Sequence, residues 1–134
     1  MDKKTIVART IEYIEQQLIS GREVLSLDEV ADEIGFSKFY LNRVFQEHVK
    51  TTIYQYILER RLTEAARQLI DTDNPIVDIA YDAGYQSQQA FTNAFSTIYH
   101  CTPMKYRMRR QFIPLRKPYQ ARCISVGCRM EAAA

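Results

Sequence analysis

Gln88, Gln89, Thr92 and Asn93 surround Phe91 and Phe95 at helical spacing in the stretch GYQSQQAFTNAF, residues 84–95. All four are polar, uncharged and able to hydrogen-bond, and no formal charge occurs from Ala83 to Met104. A solvated helix face ordinarily carries charged side chains. Amides and a hydroxyl suit instead a partner that presents donors and acceptors without net charge. The floor of the DNA major groove is such a surface: Gln and Asn match adenine N6 and N7, and Thr bonds either way or touches a thymine methyl. A second set, Lys38, Phe39, Asn42 and Arg43, lies in KFYLNRVF, residues 38–45. Arg43 can take guanine O6 and N7 together. Phe39 can meet a thymine methyl or a backbone sugar, or else belong to a core.

The elements that position both sets form an internal repeat. LDEVADEIGFSKFYLNRVF (27–45) aligns with IVDIAYDAGYQSQQAFTNAF (76–95) once one residue is inserted in the second copy. Leu27 matches Ile76, Val30 matches Ile79, Ala31 matches Ala80 and Gly35 matches Gly84. Ser37, Leu41 and Phe45 then match Ser87, Phe91 and Phe95. Each copy reads as helix, turn, helix. Ser26 with Glu29 predicts a capping box, and Leu27, Val30, Ala31 and Ile34 recur at helical spacing. Gly35 and Gly84 end the short helices, because glycine adopts a left-handed backbone at little cost. Ser37 and Ser87 cap the helices that follow. Asn74-Pro75 starts the second copy, with Pro75 expected at the first helical position.

Three further stretches are helical in pattern: 5–18, 52–70 and, after Thr102-Pro103, 102–110. The stretch 52–70 links the copies. About twenty residues at 1.5 Å each give roughly 30 Å, close to the ~34 Å between successive major-groove faces on one side of a duplex. The expected architecture is all-α, with about seven helices. Residues 1–50 and 72–110 form two helix-turn-helix units, and 51–71 form the linking helix. A basic tail, irregular or loosely attached, follows over 111–134.

Charge is unevenly distributed. Residues 1–102 carry ten Lys and Arg against fifteen Asp and Glu, and residues 103–134 carry eight against one. The basic end, with Lys105, Arg107, Arg109, Arg110, Arg116, Lys117, Arg122 and Arg129, suggests a polyanionic partner. The uncharged run 83–104 is too rich in Gln, Ser, Thr and Asn to span a membrane, and the polar N-terminus MDKKTIVART lacks a signal-peptide pattern. Cys101, Cys123 and Cys128 offer only an isolated C-x4-C, so free thiols are expected and no metal. There is no Gly-rich phosphate loop, metal-binding His/Glu motif or Ser/His/Asp arrangement that would point to an enzyme or a cofactor.

The motif I-x-x-I-A-x-x-x-G-[FY]-x-[SD]-x-x-x-F-x-x-x-F, followed by T-P-x-x-[YF]-R, runs through residues 76–107. With SLDEVADEIGFSKFYLNRVFQEHV (26–49) and YQYILERRLTEAARQL (54–69), it makes the chain resemble the AraC/XylS family of bacterial transcription regulators over about residues 5–107. Within that family it looks most like the small MarA/SoxS/Rob group. The N-terminus without a signal-peptide pattern suggests a cytoplasmic protein, and the resemblance implies monomeric binding to asymmetric promoter DNA. It also implies activation through contact with RNA polymerase and control of drug-resistance and stress genes. The group's reading positions fall on Phe39, Asn42 and Arg43, and on Gln88, Gln89, Thr92 and Asn93. Phe39 stands where the group has Trp, Asn42 where it has Gln, Ala90 where it has Thr and Asn93 where it has Arg, so the second reader lacks the group's charge. No separate small-molecule effector domain is expected, and control would then lie in the amount of protein. The rival readings are a repressor using the same DNA contacts, an all-α protein-interaction adapter, and a repair alkyltransferase with a reactive cysteine.

Overall fold

A computed structural model describes residues 1–20, 25–114, 116, 118 and 119. Its seven α-helices are α1 (Lys3–Ile19), α2 (Leu27–Ile34), α3 (Lys38–Val49), α4 (Ile53–Asp71), α5 (Ile76–Asp82), α6 (Gln88–Tyr99) and α7 (Pro103–Arg109). Each copy of the repeat is a helix-turn-helix, α2–α3 and α5–α6, as the pattern predicts. Side-chain oxygens of Ser26, Ser37, Thr52, Ser87 and Thr102 cap five of the helices, each accepting a backbone N–H three residues on. Gly35 and Gly84 sit at φ 93° and 91° after α2 and α5. Open space surrounds Gly35, so its backbone angle, not crowding, calls for glycine. Pro75 departs from expectation: it is the N-cap of α5, one residue before the helix, and its carbonyl accepts from Asp78 and Ile79.

Buried apolar side chains fall into two clusters. One joins α1, α2, α3 and the start of α4 around Ile6, Ile14, Val30, Leu41, Phe45 and Tyr56. The other joins the rest of α4 with α5, α6 and α7 around Leu62, Leu69, Ile79, Phe91, Phe95 and Tyr106. The 19-residue α4 contributes to both.

The repeat reaches further than the sequence pattern alone indicates. Lys50 and His100 end α3 and α6 in the left-handed conformation, each two residues before a capping threonine, Thr52 or Thr102. Four residues past each threonine stands a fully buried tyrosine. Tyr56 meets Phe45 edge-on with ring centroids 5.5 Å apart, and Tyr106 meets Phe95 edge-on at 5.4 Å. Such edge-to-face pairs contribute about 0.5–1.5 kcal/mol beyond area burial. The N-terminal part of α4 and the whole of α7 are thus equivalent elements in the two copies.

The chain beyond α7 is irregular where described, but it is not loosely attached. Phe112 packs against the second cluster and lies under the Arg67 guanidinium, 4.5 Å from its ring centroid. The Ile113 N–H donates to Tyr106 Oη at 2.7 Å. The Arg116 N–H donates to Thr63 Oγ1 at 2.9 Å, and its Nε pairs with Glu59 at 3.0 Å. The Tyr119 N–H donates to Tyr56 Oη at 2.9 Å, its own hydroxyl donates to the His48 carbonyl, and its ring packs against the first cluster. Lys117, Arg122, Arg129, Cys123 and Cys128 lie outside the described residues.

Burial pushes the Tyr56 phenol up to about 12 from its ordinary 10, and burial moves Tyr85 and Tyr106 in the same direction. The native state then keeps the Tyr56 proton where the unfolded chain has lost it. The stability this contributes is complete below pH 10 and is lost as pH rises towards 12. Tyr56→Phe is expected to flatten this alkaline decline when urea midpoints are compared across that window. An equally steep decline in the variant would show that Tyr56 is not its source.

Candidate nucleic-acid interface

Polar caps and apolar anchors fix how α3 and α6 present their outer faces. In α3, Leu41, Val44 and Phe45 are buried, which turns Lys38, Phe39 and Arg43 outward. Phe39 is 79% exposed at the start of the helix, so the core-packing alternative does not apply to it. Lys38 reaches back to Asp28 of α2 at 3.3 Å and lies 5.6 Å from the Phe39 ring centroid. The Arg43 guanidinium rests over the Tyr40 ring at 5.4 Å, and no carboxylate pairs with it among the described residues. These side chains line an open groove with Leu27, Asp28, Asn42 and Gln46.

Asn42 is placed differently from its neighbours. It is half-buried, and its Oδ1 accepts the Ile53 N–H at 3.0 Å. The side chain therefore satisfies one of the N–H groups left open at the start of α4 and ties α3 to that helix. Its Nδ2 group remains for an outside partner. Gln46, exposed one turn beyond Asn42 and Arg43, belongs to the same face. The helical spacing 39, 42, 43, 46 carries that signal in the sequence.

In α6, Phe91 and Phe95 are fully buried, and an aromatic chain runs from Tyr85 through Phe91 and Phe95 to Tyr99 and Tyr106. Gln88, Gln89 and Asn93 are exposed, and Thr92 is half-buried beside Phe91. Gln89 Nε2 donates to Asn93 Oδ1 at 3.0 Å, so these two amides are held in register before any partner arrives. Arg61 of α4 secures the turn ahead of α6 by donating to the Ala83 carbonyl at 3.0 Å. The eight predicted residues thus form two patches, each on the N-terminal half of the second helix of a helix-turn-helix.

Two of the basic residues near the C-terminus serve the fold. Arg107 donates to the carbonyls of Leu69, Thr72 and Asn74, closing the end of α4. Arg116 is held by Glu59. Lys105, Arg109 and Arg110 are exposed. Cys101 is a half-buried free thiol. Among the described residues no group of three His, Cys, Asp or Glu is placed to hold a metal ion, and no helix is long and apolar enough to cross a membrane.

Residues 30–109 match a family described as a helix-turn-helix domain. The regulatory protein SoxS of Salmonella typhimurium is 40% identical over 109 residues, 81% of this chain and 99% of that protein. The multiple antibiotic resistance protein MarA of Escherichia coli is 37% identical over 98 residues, 73% of this chain and 75% of that one. The C-terminal domain of AraT, a response regulator from Geobacillus stearothermophilus, superposes with a TM-score of 0.73 at 28% identity, covering 86% of this chain and 93% of that one. The relatives are regulators of transcription and not enzymes. With its paired helix-turn-helix units and their exposed second helices, the chain belongs to the AraC/XylS family of DNA-binding transcription regulators, beside SoxS and MarA.

Proposed function

We propose that this regulator is a cytoplasmic, monomeric activator that reads asymmetric promoter sites with α3 and α6 and recruits RNA polymerase at stress or antibiotic-resistance genes. Residues 1–50 and 72–110 act as the two reading units, with 51–71 as the spacer. The observation that carries the reading is the equivalent exposure of two chemically different patches: Phe39 and Arg43 on α3, and Gln88, Gln89 and Asn93 on α6. Two unlike readers on one chain suit a site whose halves differ and need no two-fold symmetry. At 19 residues, α4 is about 28 Å long, which matches neighbouring major-groove faces if the DNA bends slightly. In this reading Lys38, Phe39, Arg43 and the Nδ2 group of Asn42 face the first half-site. Gln88, Gln89, Thr92 and Asn93 face the second. The name of MarA, a multiple antibiotic resistance protein, supports the class of target genes.

Mapping of bound genomic sites, combined with transcript changes on induction, tests the reading. Transcripts rising from promoters with an occupied site support it. Occupied sites with falling transcripts would make the chain a repressor with the same DNA-binding mode.

Gln89→Ala is expected to reduce affinity by under about 2 kcal/mol and to relax an A·T preference in the second half-site. Its contact is neutral, and Asn93 brings no charge to reinforce it. Affinity lost equally on all sequences would assign Gln89 to backbone positioning instead.

A further inference from the structure

We infer that the chain after α7 acts, through Phe112, Ile113, Arg116 and Tyr119, as a strap that sets the spacing and orientation of the two reading units, with Tyr119 and Arg116 as positioning residues for DNA recognition. This rests on the DNA-reading function proposed above and adds to it a determinant of half-site spacing. The strap lies outside the residues matched by the family, which end at 109.

Its attachment repeats the symmetry of the fold. Tyr56 and Tyr106 are equivalent buried tyrosines, one in each cluster. Each phenol oxygen accepts a backbone N–H from the strap, Tyr106 from Ile113 at 2.7 Å and Tyr56 from Tyr119 at 2.9 Å. At one end Phe112 packs on the second cluster, and at the other Tyr119 packs on the first. Between them Arg116 is fixed to the middle of α4. Its N–H meets Thr63, its Nε meets Glu59, and its carbonyl accepts from Arg60 at 3.0 Å. Arg60 in turn holds Glu15 of α1. Without the strap, α4 would be the one helix among the described residues that contributes to both clusters, and a single helix can bend. A second stretch of chain, fastened noncovalently at Phe112, Arg116 and Tyr119, resists that bending.

The test uses the full-length chain carrying Arg116→Ala and Tyr119→Ala, with Tyr56→Phe as a milder variant that keeps the ring but removes the acceptor for Tyr119. Two readouts are needed. Without DNA, spin labels at Gln46 and Thr97, in a background with Cys101, Cys123 and Cys128 changed to Ser, report the distance between α3 and α6. The unsubstituted strap should give a narrow distribution, the double variant a broad one and Tyr56→Phe an intermediate one. With DNA, a series of duplexes carries the two half-sites moved apart or together by single base pairs. The unsubstituted protein should lose about tenfold or more in affinity per base pair, since realigning the grooves requires DNA deformation. The double variant should lose less than about threefold, while its base preference within each half-site stays the same. Distance distributions and spacing penalties equal to those of the unsubstituted protein would overturn the inference. If the double variant does not fold, the same comparison with Tyr56→Phe decides. Failure of the unsubstituted protein to select any site would instead count against the DNA-reading proposal, and the distance measurement would still judge the strap.

Discussion

Arg60→Ala is expected to lower the free energy of unfolding by about 3–5 kcal/mol, the range for removing one partner of a buried ion pair. Arg60 is only 4% exposed. Its Nε and Nη2 both meet the Glu15 carboxylate at 2.7 Å, and its Nη1 meets Glu64 and the Arg116 carbonyl at 3.0 Å. Burial alone would weaken the hold of the guanidinium on its proton, but Glu15 and Glu64 more than reverse this. Alanine leaves Glu15 facing Tyr56 with no cation at its side and breaks the tie between α1, α4 and the strap. Because the Glu15 side chain is 21% exposed, water recovers part of the loss, which favours the lower end of the range. Urea denaturation measures the effect, and thermal unfolding should fall by several degrees for each kcal/mol. Replacing both partners, Arg60→Met with Glu15→Leu, should recover most of the stability, because Glu64, the charge left behind, is 40% exposed and keeps Arg67 at 3.4 Å. A single-variant loss below about 1 kcal/mol would show that the pair behaves as an exposed one.

The second large effect concerns recognition. Arg43→Ala is expected to remove about 1–3 kcal/mol of base discrimination at one position of the first half-site, roughly 5- to 150-fold. Arg43 is exposed and, among the described residues, is steadied by the Tyr40 ring alone, so its five donors stay available to guanine O6 and N7. Lys38, by comparison, already has Asp28 as a partner. Arg43→Lys keeps the charge but loses the planar fork. It should therefore hold overall affinity better than alanine while still relaxing the preference. Unchanged preference in both variants, read by competitive binding of duplexes altered at single positions, would remove Arg43 from the reading set.

Much of this fold is legible in the sequence because local chemistry and tertiary structure agree at the helix ends. Serine or threonine caps mark five starts, and Gly35 and Gly84 mark two stops. The other stops are less visible. Lys50, His100 and Arg110 take the left-handed conformation without being glycine, at a cost of roughly 1–2 kcal/mol each. The equivalence of Tyr56 and Tyr106 was likewise hidden, since one lies within a long helix and the other in a short one. At the candidate interface, the residues picked out by type and spacing lie together in two patches on α3 and α6, and the exposure of Phe39 removes core packing as its role. The bond from Asn42 to Ile53 was not legible, because it depends on how α3 meets α4 in space. The docking of the segment after α7 was not legible for a related reason: prolines and absent periodicity argue against a helix, as the described residues there bear out, but they say nothing about docking along one.

The central claim, that one chain reads two unlike half-sites, is tested most directly by selecting bound sequences from a pool of randomised duplexes with the full-length protein. The expected product is a bipartite, non-palindromic site. Its halves should lie about one helical turn apart, one centred on a guanine contact that Arg43→Ala erases and the other on an A·T-rich segment that Gln89→Ala relaxes, with one chain bound per duplex. A palindromic site occupied by two chains, or a single half-site insensitive to Gln89, would contradict it.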